Sequence, residues 1–391
     1  MLNFEFQCPT KVIFGKDTIK ELSRLIPENA KVLMTYGGGS IKKNGVYDQV
    51  KNALKNHTVI EFSGIEPNPK FETCMKAVEI AKNENIDFIL AVGGGSVLDG
   101  SKFISAAIKY NGDAWDILTK STPVVPPFEN PMIKDAISLG AVITLPATGS
   151  EMNAGAVISK IEGDEKLAFG SNKVYPCFSI IDPETTYSLP VRQTINGIID
   201  TFVHVMEQYA TIDVNTPMQD YWQLGIIKTL IEEAPKVLAN PNDYDARANI
   251  FWCATCGLNY WATLGTVGDW ATHMIGHEIT AFYGLDHAQT LAIIMPRVLE
   301  YQKETKATKL SKMAYEVFGY KGEEKDAADF AIKETEKFFN SIGQKTKLID
   351  YGVDKKEAAA KVSERFKERG VILGENQKLT PEAVYEILNR C

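Results

Sequence analysis

Cysteine is scarce in this chain of 391 residues. The six cysteines lie far apart, at positions 8, 74, 177, 253, 256 and 391, which is unlike a disulfide framework. The first residues lack the basic flank and the apolar run of a secretion signal. No apolar run approaches the roughly 20 residues that a membrane-spanning helix needs. We therefore expect a cytoplasmic protein with reduced thiols and no membrane partner.

Positive charge is not in excess either, because the formal net charge is -8. Nucleic-acid binding needs a concentrated basic face, so nucleic acid is not expected as a partner. The content of 45% hydrophobic and 24% charged residues is ordinary for a globular enzyme. A chain of this length exceeds one ordinary core, so two domains are expected.

The first half of the chain alternates short apolar runs with amphipathic stretches. The apolar run 86–92 is typical of a parallel strand buried on both faces. Together, the runs predict an α/β layer with a mainly parallel sheet. Strands are predicted over 31–36, 58–62, 86–92 and 137–145, and helices over 46–54, 71–83 and 101–110.

The pattern changes near residue 184, because strand-like runs nearly vanish beyond residue 190. We therefore expect an α/β domain over 1–184 and an all-α domain over 185–391. Further helices are predicted beyond residue 304 as far as the C-terminus. The first helices of the second domain are predicted over 191–210, 217–239, 243–264, 267–282 and 287–304.

Two predicted strands end in glycine loops that lead into a helix. Glycine lets the backbone approach an anion closely, and the N–H groups of the first helical turn then point at it. Neither loop is the G-x-G-x-x-G of an ordinary Rossmann domain, and either one alone could be a tight turn. Two such loops in one α/β domain favour a dinucleotide. They comprise Gly37, Gly38, Gly39 and Ser40 in the first and Gly93, Gly94, Gly95 and Ser96 in the second.

Polar residues near these loops are further candidates for cofactor contacts. Asp99 is expected in the first turn of the helix after the second loop, where it could accept a hydrogen bond from the cofactor or favour the helix start. Thr144, Thr148 and Ser150 lie on or beyond the strand predicted over 137–145, and could contact phosphate, ribose or nicotinamide. Ordinary turn and cap chemistry is the alternative for all of them.

No acidic residue follows the strand predicted over 31–36. Asp or Glu there would hold a ribose diol and repel a 2′-phosphate. The chain instead offers Gly39 and Ser40, with Lys42 and Lys43 close behind. Small groups, a hydroxyl and positive charge would admit the 2′-phosphate, so NADP(H) is favoured over NAD(H).

Four of the five histidines lie in the helical half. Asp200 and His204 are spaced i, i+4, as are His273 and His277, and His287 opens another predicted helix. Three imidazoles and a carboxylate suit Fe²⁺ or Zn²⁺. Asp200, His204 and two of the other three histidines could form such a set, whereas any single histidine could equally be a satisfied core residue.

Cys253 and Cys256 form a C-x-x-C pair, which is half of a zinc or redox motif. The pair lies inside an apolar helical run over 251–260, and the chain has no second pair. Both thiols are therefore expected in the core.

In combination, these residues resemble the iron-containing (group III) alcohol dehydrogenases. Within that family the chain looks most like the bacterial butanol dehydrogenases and NADPH-dependent aldehyde reductases. The resemblance implies a dehydroquinate-synthase-like homodimer in which an N-terminal dinucleotide domain and a C-terminal helical metal domain flank a deep cleft. The motifs that carry it are Gly93-Gly94-Gly95-Ser96-x-x-Asp99, Leu145-Pro146-Ala147-Thr148-Gly149-Ser150-Glu151, Asp200-x3-His204, and His273-x3-His277 followed by His287.

The same resemblance implies roles for individual residues. The metal ligands would be Asp200, His204, His273 and His287. His277 would be a non-ligand near the substrate and a candidate for proton transfer. The cofactor contacts would be Gly37, Gly38, Gly39, Ser40, Gly94, Gly95, Ser96, Asp99, Thr144, Thr148, Asn153 and Lys166.

The activity expected from these features is hydride transfer between NAD(P)H and a small primary alcohol or aldehyde, such as butanol and butanal, with one divalent metal, Fe²⁺ or Zn²⁺. Glycerol dehydrogenase-like polyol oxidation on the same fold is an alternative. Two alternatives come from other classes: a metal-dependent hydrolase of a phosphorylated substrate and a non-catalytic nucleotide-binding sensor.

Overall fold

The structure is a computed structural model that describes residues 1–121, 124, 126 and 128–391. The chain folds into two compact units. The boundary expected near residue 184 stays a prediction. Each unit is discontinuous in sequence, because it includes a segment from the other half of the chain. The α/β unit comprises Glu5–Pro190 and Pro241–Asn259, and the helical unit comprises Met1–Phe4, Val191–Asn240 and Tyr260–Cys391.

All the strands that the structure describes belong to the α/β unit. They are β1 Lys11–Phe14, β2 Lys31–Thr35, β3 Thr58–Phe62, β4 Phe88–Gly93, β5 Ser138–Ile143, β6 Gly155–Lys160, β7 Glu165–Gly170 and β8 Phe178–Ile181. Six form a parallel sheet in the order β1-β8-β5-β4-β2-β3. The other two, β6 and β7, form an antiparallel hairpin. Every residue of β4 is buried, as expected of a central parallel strand.

The α-helices follow the division into two units. Helices α1 to α5 and α8 lie in the α/β unit, and the remaining helices form the helical unit. Over the described residues they are α1 Ser40–Lys43, α2 Val46–Ala53, α3 Phe71–Asn83, α4 Gly95–Lys109, α5 Asp116–Thr119, α6 Val191–Tyr209, α7 Pro217–Ala239, α8 Tyr244–Gly257, α9 Ala271–Tyr283, α10 His287–Tyr301, α11 Lys303–Glu316, α12 Glu324–Ser341, α13 Lys355–Glu368 and α14 Pro381–Leu388.

Apolar cores cover both faces of the parallel sheet. Side chains alternate along β2, so Leu33 joins the core formed with α3 and α4, whereas Val32 and Met34 join the core that contains α2. Burying one such side chain contributes roughly 1.5–3 kcal/mol. The two cores therefore stabilise the sheet from both faces.

The strand order reverses between β2 and β4. Strand β3 extends the sheet beyond β2, whereas β5, β8 and β1 extend it beyond β4. In open parallel sheets, ligands bind at the carboxyl ends of the strands where the order reverses. The glycine segment 37–40 follows β2, and Gly94 follows β4, so both loops lie at this point.

In the helical unit, α10 packs against α6, α9, α12 and α14. Ile293 and Ile294 of α10 are fully buried with Ile275 and Ile279 of α9 in one apolar cluster. This packing brings the first turn of α10 and one face of α9 next to α6. Among the described residues, no helix is both long enough and apolar enough to cross a bilayer.

The predicted fold class is confirmed, and several element bounds are corrected. Helix α3 has its predicted bounds, whereas α4 begins at Gly95 rather than at residue 101, because its glycine-rich first turn lacks an apolar period. Helix α8 ends at Gly257 and not at 264, since Leu258 leaves the helical region with φ -143°. The sequence did not predict β1, β8 or the β6–β7 hairpin.

Candidate functional site

Helix α6 presents a carboxylate and an imidazole one turn apart on its buried face. Asp200 is 4% exposed and His204 is 5% exposed. Their i, i+4 spacing places Asp200 Oδ1 3.6 Å from His204 Nδ1. The predicted pair therefore points both groups at one region of the interior.

Helices α9 and α10 add two imidazoles to this pair. The Nε2 atoms of His273 and His287 lie 3.8 Å and 3.6 Å from Asp200 Oδ1. His287 is the first residue of α10, and a capping box formed by Asp286 fixes that helix start. Asn196 of α6 donates to Asp286 over 2.8 Å, which ties the start of α10 to α6.

The donor atoms at this point fit a divalent cation. One atom each from Asp200, His204 and His273 lies within 4.8 Å of the others. His204 Nδ1 and His273 Nε2 are buried and have no hydrogen-bond partner among the described residues. Buried polar atoms rarely lack a hydrogen-bond partner, which indicates that these two nitrogens bind a group other than the protein. Imidazole nitrogen with carboxylate oxygen is a donor set that Fe²⁺ and Zn²⁺ accept.

The electrostatic surroundings differ between two of these imidazoles. Burial lowers the pKa of His204 to about 4, so this ring is neutral near pH 7. Burial also acts to lower the pKa of His273, but the carboxylates of Glu207 and Asp200 outweigh it and raise that pKa to about 9. Metal binding at His273 therefore requires loss of a proton.

Neither His287 nor His277 belongs to the described set of three donors within 4.8 Å of one another; His287 Nε2 lies 3.6 Å from Asp200 Oδ1, and His277 lies beside His287 and His273. Its ring centroid is 5.2 Å from that of His287 and 6.3 Å from that of His273. The side chain is buried, with 9% exposure. The structure therefore places His277 as a near neighbour of the donors, one helical turn beyond His273 on α9.

The predicted cofactor loops lie at the carboxyl ends of the central strands of the α/β unit. Helix α4 follows β4 directly, and neither a side-chain cap nor an acidic residue occupies its first turn. An uncapped helix start of this kind suits a pyrophosphate. Thr144 N donates to Gly93 O over 2.9 Å, which joins the residue after β5 to the last residue of β4.

Glycine is required at Gly95, because a Cβ there would lie 2.4 Å from Thr148 Oγ1. At Gly38 and Gly39, by contrast, a Cβ would meet no atom within 4 Å, so this surface is open. Gly39 has φ 97° and precedes Ser40, the first residue of α1. The two loops thus give one tightly packed and one open glycine surface.

Asp99 and Asn153 make more contacts within the protein than the sequence indicated. Asp99 lies beyond the first turn of α4, which corrects the expected position, and it accepts from Ser150 Oγ over 2.7 Å and from Val157 N over 2.9 Å. Asn153 Nδ2 donates to Gly149 O over 3.0 Å. Both residues therefore hold the loop that follows β5. Lys166, on β7, is close enough for its charge to act on the Asp99 carboxyl.

Lys102 is a fully buried cation that sequence reasoning missed. Its Nζ donates to Ser150 Oγ over 2.8 Å, to Asn153 Oδ1 over 3.0 Å and to Gly155 O over 2.8 Å. Burial lowers its pKa to about 8. The only sequence signal is a lysine three residues after Asp99 on the buried face of α4. Lys102 therefore ties α4 to the loop after β5.

Lys102→Met is expected to destabilise the protein by about 3 kcal/mol or more, because it leaves buried acceptors without their donor. Urea unfolding followed by tryptophan fluorescence measures the change. Lys109→Met, at the exposed end of the same helix, is the control and should shift stability by less than about 0.5 kcal/mol. Equal stability of the two variants would contradict the role of Lys102.

The C-x-x-C pair lies in α8, and neither cysteine forms a disulfide with another described residue. Cys253 is buried, and burial raises the pKa of Cys256 to about 12. A thiol that stays protonated is neither a good nucleophile nor a metal ligand. The pair therefore has the character of packed helix residues.

Glu207 is a second residue near the site that the sequence analysis missed. It lies three residues after His204 on α6 and contacts His273 Nδ1. The available signal was this i, i+3 spacing, which puts a third polar residue on the face of α6 that carries Asp200 and His204.

Comparison with known proteins gives matches along nearly the whole chain. A family model described as iron-containing alcohol dehydrogenase matches residues 9–183, and one described as Fe-containing alcohol dehydrogenase family, C-terminal, matches residues 194–391. The NADPH-dependent aldehyde reductase YqhD of Escherichia coli is 49% identical over 97% of both chains. A probable NADH-dependent butanol dehydrogenase of Bacillus subtilis is 40% identical over 99% of both.

Solved structures agree with these matches. The crystal structure of Escherichia coli YqhD has a TM-score of 0.95 at 47% identity, covering 100% of this chain and 98% of that one. The NADH-dependent butanol dehydrogenase A of Thermotoga maritima has a TM-score of 0.93 at 36% identity, with coverage of 100% and 98%. On the family models, the identities and the shared structure, this chain belongs to the iron-containing alcohol dehydrogenase family.

Proposed function

We propose that this protein is a metal-dependent aldehyde reductase that prefers NADPH and interconverts small primary aldehydes and alcohols, such as butanal and butanol. The observation that carries the proposal is the convergence of three imidazoles on the Asp200 carboxylate, in a member of a family that implies NAD(P)H and a divalent metal. The similarity to an aldehyde reductase and to butanol dehydrogenases supports the substrate class.

In this proposal, Asp200, His204, His273 and His287 hold the cation. A divalent ion bound there supplies Lewis-acid polarisation of the substrate carbonyl. A bound nicotinamide supplies the hydride. The chain's own contribution is to bind, orient and provide a proton path.

The residues of the α/β unit position the cofactor. The N–H groups at the uncapped start of α4, in the segment of Gly94, Gly95 and Ser96, would hold the pyrophosphate of the bound cofactor. Thr144 and Thr148 line the loop beside them. Lys102 donates to Asn153 and so holds that loop in position, which would give the cofactor a preformed binding surface.

In the helical unit, His277 is the residue that we assign to proton transfer. Its ring lies next to those of His287 and His273, one helical turn beyond His273 on α9. Imidazole can donate a proton to an alkoxide and accept one in the reverse reaction. The closeness of this imidazole to two of the proposed ligands supports that role.

The preference for NADPH is supported by the groups after β2. Lys42 Nζ lies 5.2 Å from the ring centroid of Tyr36 and 4.8 Å from that of Tyr47. The nearby Glu61 carboxylate accepts from both tyrosine hydroxyls, over 3.0 Å and 2.8 Å, and from Lys51 Nζ over 3.0 Å. Glu61 is thus engaged within the protein, and we propose that Lys42 is the cation that meets a 2′-phosphate.

Lys42→Ala is expected to lower kcat/KM for NADPH about tenfold, the order of one charge-assisted contact to phosphate, and to leave that for NADH nearly unchanged. Initial rates at varied cofactor concentration measure both values. Lys43→Ala removes the same charge one residue along α1 and is the matched control. If the two variants lose NADPH activity equally, general attraction rather than Lys42 explains the preference.

The proposed activity is tested by following nicotinamide absorbance with a series of aldehydes, with NADPH and NADH, and with metal-stripped and metal-reloaded protein. We expect butanal to be reduced faster with NADPH, and activity to return on addition of Fe²⁺ or Zn²⁺. Glycerol in the oxidative direction tests polyol oxidation, and phosphate release without nicotinamide tests hydrolysis. Full activity of the metal-stripped protein would eliminate the proposal.

A further inference from the structure

Glu207 is a buried carboxylate next to the cluster that holds the cation in the proposed function. It lies on α6, one turn after His204, and is 4% exposed. A carboxylate so far from water needs several hydrogen bonds to offset its desolvation. Its partners therefore show what the residue does.

Among the described residues, the polar contacts to the Glu207 carboxylate come from the start of α9. Oε1 accepts from Thr272 N over 2.5 Å and from His273 N over 3.2 Å. Oε2 contacts Nδ1 of the His273 ring. One carboxylate therefore holds both the backbone and the side chain of His273.

The start of α9 depends on help from elsewhere in the chain. Its N-cap residue, Trp270, has φ 61° and makes no side-chain cap hydrogen bond. Asp269 Oδ1 accepts from Ala271 N over 2.9 Å, and Glu207 takes the next two N–H groups. A side chain of α6 thus caps the N-terminus of α9, and it fixes the orientation of His273 toward Asp200.

The contact with Nδ1 also decides which nitrogen of His273 is available. Oε1 of Glu207 accepts from two backbone N–H groups, and Oε2 of the same carboxylate faces Nδ1, so this oxygen is placed to accept the ring proton at Nδ1. In the neutral imidazole, Nε2 then carries the lone pair, and this atom lies 3.8 Å from Asp200 Oδ1. Glu207 therefore directs the free lone pair of His273 toward the other donor atoms.

From this geometry we infer that Glu207 is a positioning residue, which sets the orientation and the tautomer of His273 for metal binding. The inference rests on the proposed function, in which His273 is a ligand. Glu207 acts through His273 and not on the cation, since its two oxygens are engaged by α9. Carboxylates that hold a ligating imidazole in this way typically account for 10- to 100-fold in metal affinity.

Glu207→Gln provides the test, because glutamine keeps the size and can still accept from Thr272 N. Its amide N–H₂ faces Nδ1, however, and favours the tautomer whose proton is on Nε2. We expect Zn²⁺ to bind metal-stripped Glu207→Gln about 10- to 100-fold more weakly than wild type in calorimetry. At saturating Zn²⁺, kcat should return to within a few fold of wild type.

Glu278→Gln is the matched control. Glu278 is also a buried carboxylate, but it lies on α9 and accepts from Arg365 over 2.9 Å and from Arg369 over 3.2 Å. Its loss should leave Zn²⁺ affinity unchanged. If both variants weaken Zn²⁺ binding equally, the effect comes from general loosening of α9 and the inference fails.

A double variant isolates the path of the effect. In a His273→Ala background, Glu207→Gln should weaken Zn²⁺ binding no further, because the residue through which it acts is gone. If Glu207→Gln does not fold, Glu207→Asp replaces it, since it keeps the charge but shortens the reach to Nδ1, and the same loss is expected. Wild-type affinity in the single variant, or an additional loss in the double variant, overturns the inference.

These measurements separate the inference from the proposed function. Calorimetry with Zn²⁺ needs neither aldehyde nor NADPH. If the wild-type protein binds one Zn²⁺ but reduces no aldehyde, the proposed activity is wrong and the inference about Glu207 is unaffected. If the enzyme reduces aldehydes but wild type and Glu207→Gln bind Zn²⁺ with equal affinity, the inference about Glu207 is wrong and the proposed activity is unaffected.

Discussion

Asp200→Ala is expected to abolish stoichiometric metal binding and to lower kcat/KM for aldehyde reduction by about 10³-fold or more. Asp200 is the only carboxylate in the cluster of three donors, and its Oδ1 lies within 3.8 Å of a nitrogen of His204, His273 and His287. A Lewis acid supplies several kcal/mol of transition-state stabilisation, and each 1.36 kcal/mol is a factor of ten in rate. Metal analysis of the purified variant and initial rates measure the two losses.

A matched control is available on the next helix. Asp220 of α7 is also a buried aspartate of the helical unit, but it pairs with Lys309 and Lys312. Asp220→Asn should lose stability and keep its metal. Asp200→Ala should retain wild-type affinity for NADPH, measured by fluorescence titration, because the proposed cofactor loops belong to the α/β unit. Normal metal content in Asp200→Ala would remove Asp200 from the ligand set.

The donor cluster was predictable because helical spacing converts sequence into geometry. Asp200 and His204 are four residues apart, and any helix over that segment brings them to one face. His287 was harder, since its position depends on a helix start that Asp286 caps. The choice among the three remaining histidines came from the resemblance, because spacing alone treats His273 and His277 alike.

The packing between separate elements, by contrast, could not be predicted from sequence patterns. The strands β1 and β8 have four residues each, too few to show a period, and their pairing joins distant parts of the chain. The contacts of Glu207 and Lys102 likewise link separate elements, and a buried charge looks like any other charge in a sequence. Residues that position a site through contacts between separate elements are therefore the hardest to predict from sequence.

Gly95→Ala is expected to weaken the use of NADPH by about 10²-fold in kcat/KM. The added Cβ would lie 2.4 Å from Thr148 Oγ1, 2.7 Å from Thr148 Cγ2 and 3.1 Å from Thr148 Cβ. Rotation of the threonine relieves only part of this clash, so the loop after β5 must move. Displacement of reacting groups by about 1 Å can cost 10²-fold in rate. Initial rates at varied NADPH concentration measure the loss.

Thr148→Ala tests the cause of this effect, because it removes the two atoms closest to the new Cβ. The double variant of Gly95→Ala and Thr148→Ala should recover much of the loss relative to Thr148→Ala alone, which itself loses the hydrogen bond from Ser150 N to Thr148 Oγ1. Gly95→Ala should also bind Zn²⁺ with wild-type affinity, the opposite of the pattern expected for Asp200→Ala. If it loses metal together with cofactor, the substitution disturbs the protein as a whole, and Gly95 is required for folding rather than for the cofactor loop.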